Sequence, residues 1–108
     1  MSEKIRVIIK RPDEEYGHVT NISNTLNNFQ NTVGGNIEVV PLSRHALMVV
    51  NEEGKLKGLE PNFIIARNGY LVDSIVGDVI IVGTKGEEFC DLDMPFAMWK
   101  ELLKGWGN

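Results

Sequence analysis

Apolar residues recur along this chain in short β-branched bursts separated by polar or glycine-bearing gaps, and twice at helical spacing. Ile5–Lys10 (IRVIIK) reads as a buried strand ended by Pro12, followed by an acidic loop from Asp13 to Gly17 and a short edge strand over His18–Ile22. Ser23 is placed to cap a helix covering about Asn24–Val33, in which Leu26, Phe29 and Val33 share one face. The opposite face is rich in asparagine, a weak helix former, so this helix depends on tertiary packing. Gly34-Gly35 stops it, the first glycine suiting the left-handed cap.

Asn36–Pro41 and Ala46–Val50 predict two strands whose short link, Leu42 to His45, favours an antiparallel hairpin. Asn51-Glu52-Glu53-Gly54 reads as a polar turn with positive φ at its glycine, and Lys55–Asn62 as a non-periodic excursion. Phe63–Arg67 and Tyr70–Ile75 flank Asn68-Gly69, the strongest two-residue hairpin signal in the chain, with a short helix at Asn62–Ala66 as the competing reading. Asp78–Val82 predicts a central strand between Gly77 and Gly83. After a turn at Lys85–Glu88, Phe89–Leu92 pairs briefly. Asp93 is placed to cap a last helix over Met94–Lys104, with Phe96, Trp99, Leu103 and Trp106 on one face. Hairpin-length links imply an α+β fold: a small antiparallel or mixed sheet packed against two helices, in one globular domain over residues 1–108.

Composition changes this picture mainly by exclusion. The net charge of −4 lacks the basic footprint that nucleic-acid binding needs. The single cysteine, Cys90, allows no intramolecular disulfide and no cysteine-based metal site, and reads as a core residue or a half-exposed thiol. His18 and His45 stand in no metal-ligand spacing, and Gly83-Thr84-Lys85-Gly86 lacks both the length and the following helix of a phosphate loop. The carboxylates fall in turns and doublets, so no catalytic residue, metal or cofactor is assigned. With no leader-like start and no run of membrane-spanning length, the expected location is the cytoplasm, away from membranes.

One stretch carries candidate chemistry. Asn51–Asn62 (NEEGKLKGLEPN) mixes amides, carboxylates and two lysines without apolar periodicity. Loops of this kind hold polar ligands through lysine charge and backbone N–H groups. Asn51, Lys55, Lys57 and Asn62, with Arg67 nearby, are the candidate ligand-binding residues. The lysines would meet an anionic ligand as point charges, and Asn62 would read a polar edge. The same stretch, together with Val33–Leu42 (VGGNIEVVPL), Ile75–Gly83 (IVGDVIIVG) and Gly86–Leu92 (GEEFCDL), resembles a family of small domains of unknown function carried by phages, prophages and plasmids of Gram-positive bacteria. The chain departs from that family's pattern at Asn36, where an aromatic or apolar residue is usual, and at Glu60, where a proline is frequent.

The resemblance implies a setting and no activity. Short accessory proteins of mobile elements are often counter-defence factors, so the resemblance implies one that sequesters a small nucleotide-derived signal or occupies a defence protein, in the host cytoplasm when phage-encoded. The alternative is a small enzyme, a phosphodiesterase or hydrolase acting on such a signal. The expected partner is therefore a small anionic ligand or a host defence protein. A homodimer is also expected, because Met98, Leu102 and Trp106 exceed what one sheet face can cover. Its contact would be the last helix or an exposed sheet edge. Trp106 folding back over the core is the other reading of that surplus.

Overall fold

The computed structural model describes residues 3–108; Met1 and Ser2, which open the start read above as not leader-like, lie outside them. The most continuously apolar bursts become the strands covered on both faces, β1 (Lys4–Lys10) and β7 (Val79–Lys85). Around them lie β2 (His18–Ser23), α1 (Leu26–Val33), β3 (Ile37–Ser43), β4 (Ala46–Asn51), β5 (Pro61–Arg67), β6 (Tyr70–Val76), β8 (Glu88–Cys90) and α2 (Phe96–Gly105). The main sheet runs β2-β1-β7-β4-β3, and every pair in it is antiparallel. β1 pairs with the first part of β7 and β8 with its last part, from Gly83 to Lys85. β5 and β6 form a separate antiparallel hairpin.

Period-2 alternation sends neighbouring side chains to opposite faces, and the chain uses both. On one face, Phe29 and Val33 of α1 pack with Val7, Ile9, Val49, Ile80 and Val82. On the other, Ile8, Met48, Val50, Val79 and Ile81 are covered by Phe63, Ile65 and Ile75 of the β5–β6 hairpin and by Trp99 and Leu103 of α2. Each large side chain so buried contributes about 1.5–3 kcal/mol. The result is an α+β fold in three layers, with the helices on opposite faces of one sheet.

Local departures from the sequence reading have local causes. α1 starts late because Ser23 still pairs with Lys4 in the β1–β2 ladder. Thr25 becomes the cap instead, its Oγ1 accepting from the Asn28 N–H at 3.1 Å. Leu26 turns outward, 59% exposed, while Phe29 and Val33 are buried as expected. Asp93 caps nothing: Pro95 holds the N-cap in extended geometry, and the residue before a proline is itself disfavoured from the helical region. Asn62–Ala66 is strand, not helix, and Asn68-Gly69 makes the turn with φ of 54° and 81°. Gly54 does not adopt positive φ. It is needed because a Cβ there would press on Val76 Cγ2 at 2.9 Å. Trp106 folds back, stacking on Phe63 at 6.1 Å and meeting Trp99 edge-on at 6.0 Å.

A candidate ligand-binding cleft between β3 and β6

The hairpin layer is narrower than the sheet beneath it. Met48 and Val50 of β4 are buried, whereas Val40 and Leu42, on the same face of β3, are only half-covered. A cleft of about 210 Å³ opens at this step. Val40 and Val50 give it an apolar floor, Asp73–Val76 of β6 form one wall, and the loop from Glu52 to Leu56 closes one end. That volume is below the roughly 300–1,000 Å³ of pockets that enclose a whole small molecule.

The rim is acidic. Glu38, Glu52 and Asp73 line the cleft against one cation, Lys55. Lys55 Nζ is already held by Asp73 Oδ1 at 2.9 Å, and the same oxygen accepts the Ser74 N–H at 2.7 Å. Asn51 also borders the cleft, but its amide is committed to structure. Nδ2 donates to the Val33 carbonyl at 3.1 Å, and Oδ1 accepts from the Glu53 N–H at 2.8 Å. This buried side chain ties the end of α1 to the loop.

Of the five residues singled out from sequence, the structure brings Asn51 and Lys55 to one cleft and sends the other three elsewhere. Lys57 reaches toward the end of α1, its ammonium 3.5 Å from where a Cβ on Gly35 would stand. Asn62 pins three segments together: Nδ2 donates to the Lys10 and Gly77 carbonyls, each at 2.8 Å, and Oδ1 accepts from Lys10 Nζ at 2.6 Å. Arg67 ends β5 beside the Asn68-Gly69 turn and is exposed. Sequence reading missed Glu38, Val40, Asp73 and Ser74. Asp73 carried a signal, as the one charge inside the strand Tyr70–Val76. Nothing local marked Glu38 and Val40, whose place depends on where β6 comes to rest.

A second, more open depression of about 570 Å³ lies by Arg11, Asp13, Glu60 and Asp78. Arg11 Nε stands 3.6 Å from Asp78 Oδ2 there. Burial pushes the Asp78 carboxyl above its ordinary value; Arg11 pulls it down, and Asp13 and Glu14 push it further up. Nearby, burial pushes the Glu14 carboxyl up, but the Arg11 N–H and His18 outweigh this and hold it below its usual range. Lys10 is 3% exposed, its ammonium donating to the Glu14 carbonyl at 2.7 Å. Burial lowers its pKa against the pull of Glu14 and Asp13. Among the described residues, no three His, Cys, Asp or Glu side chains group to hold a metal, and no hydrogen bond joins half-buried Cys90 to a histidine. No described helix is long and apolar enough to cross a membrane.

The fold therefore defines an α+β protein whose antiparallel sheet is covered on both faces, with an acidic cleft where one covering layer stops short. The chain belongs to the family described as Domain of unknown function (DUF3846), whose model matches residues 5–103. That span takes in the whole cleft. No curated protein and no solved structure matches the chain.

Proposed function

We propose that the protein acts by binding, with the cleft between β3 and β6 as its site, and that its ligand is a segment of another protein. The observation that carries this is the rim charge: three carboxylates against one lysine that Asp73 already holds. A nucleotide-derived signal would bring negative charge to Glu38 and Glu52, and the small volume would leave most of it uncovered. A basic protein segment meets complementary charge at the rim and an apolar floor at Val40 and Val50. A counter-defence role in the host cytoplasm, in which the chain occupies a defence protein, fits the phage and plasmid setting that the family resemblance implies.

The test is a photo-crosslinking amino acid placed at Val40 in the producing cell, with Asn27 on the far side of the sheet as control. The expected product is a protein adduct of discrete mass from position 40 only, lost when Glu38 and Glu52 are changed to lysine. A nucleotide adduct, or the same adducts from both positions, contradicts the reading.

A further inference from the structure

The hairpin that walls the cleft has two outer edges, and the fold closes only one of them. Along β5, Ile64 turns its backbone away from β6: its N–H donates to Asn108 Oδ1 and its carbonyl accepts from Asn108 Nδ2, both at 2.9 Å. The Asn108 carboxamide thus stands in for a peptide group of a neighbouring strand. Ile64 lies opposite Ser74 in the register. In an antiparallel pair, opposed residues either exchange both backbone bonds or neither. Ile64 spends both on Asn108, so the Ser74 N–H and carbonyl point away from β5 and into the cleft. The N–H is covered by its neighbour's half-buried side chain, Asp73 Oδ1 at 2.7 Å, a partner that a strand carbonyl can replace.

Of the main sheet's two outer strands, β2 and β3, the one beside the cleft, β3, is blunted by Pro41 and a register shift between Pro41 and Ser43. β6 carries neither proline nor glycine from Tyr70 to Val76; its pairing with β5 shifts register at Val72, which leaves Asp73 to Ile75 in regular pairing. Strands in one layer lie about 4.8 Å apart, so a third strand beside β6 falls over the half-covered inner face of β3. There it would cover Val40 and Leu42.

Resting on the cleft as the binding site, we infer that it takes its partner by strand addition. An extended segment that alternates apolar and basic residues pairs with the free edge of β6 and completes the layer over β3. Its apolar side chains descend onto Val40 and Val50. A backbone carbonyl of the incoming strand replaces Asp73 at the Ser74 N–H, and the displaced carboxylate, with Glu38 and Glu52, receives the lysine or arginine side chains. Backbone pairing supplies affinity, and the rim charge selects a basic segment over an acidic one.

The experiment uses the intact protein and a short capped peptide alternating lysine and valine. Two forms are N-methylated on alternate amides, one set for each edge of the added strand. Strand addition predicts that one form loses affinity by about tenfold or more, having lost its bonds to β6, while the other binds like the parent peptide. Equal affinities for the two methylated forms, with the peptide still in the cleft, overturn strand addition and leave the cleft intact as a binding site. Peptide binding outside the cleft overturns both. Concentration-dependent self-association through β6, read by light scattering and competed by the peptide, assigns the edge to a second copy of the chain and overturns the proposal.

Discussion

Lys10 is a lysine that the fold has taken out of water, and its neighbours show how. Its ammonium donates to the Glu14 carbonyl and to Asn62 Oδ1, and it stands 5.8 Å from the centre of the Phe63 ring. Asn62 answers with two donors of its own, to Lys10 and Gly77. Removing Asn62 leaves an ammonium short of an acceptor and two carbonyls short of a donor in a part-buried site. Asn62→Ala therefore destabilises the protein by about 1–3 kcal/mol. At about 4–8 °C per kcal/mol for a small domain, the loss is plain in a thermal melt. An unchanged melting temperature would show that this amide is not structural. The pin was illegible in the chain because Lys10 and Asn62 stand 52 positions apart. In sequence, Lys10 reads as the charged end of a strand, and Asn62 as a polar residue in a loop.

Among the elements, β7 carries the most structure and was the easiest to foresee. Its run of buried aliphatics has no polar face, which a strand covered on both sides requires. Less visible is why Gly83 follows. That glycine pairs with Cys90 of β8, and a Cβ on it would run into the Asp91 carbonyl oxygen. Gly83→Ala must push β8 away from β7, at a cost of about 1–3 kcal/mol. Amide exchange of β8 should accelerate together with the loss in melting temperature, and normal exchange there would refute the steric account. Hairpins were legible because turn chemistry is local: Asn68-Gly69 takes the two positive φ values its residues permit. Helix starts were less so. Ser23 and Asp93 are good caps in isolation, but one is held in a sheet and the other is followed too closely by Pro95.

At the scale of the molecule, the sequence conveyed the class of fold but not the layering that makes the cleft. Alternation marked which residues are apolar, and only the assembled sheet decides that α1 and α2 cover opposite faces. The loop Asn51–Asn62 is chemically unusual in sequence, yet its lysines diverge: Lys55 turns to Asp73 and Lys57 toward the end of α1. Distance along a loop says little about direction in space. Packing takes up part of the apolar surplus of the last helix: Trp106 stacks on Phe63, whereas Met98 stays 53% exposed.

The proposed binding mode rests on a cleft of acidic rim and apolar floor that takes a basic protein segment. Amide-resolved NMR tests it most directly, by titrating the isotope-labelled protein with the lysine–valine peptide and, separately, with cyclic dinucleotides. The proposed binding mode predicts that the peptide moves the signals of Glu38, Val40, Asn51 and Asp73 to Val76 and leaves those around Asp78 in place. It also predicts that the nucleotides move none of them and are recovered unchanged. Nucleotide-induced shifts in the cleft, conversion of a nucleotide to product, or peptide-induced shifts confined to the depression by Arg11 and Asp78 would contradict it.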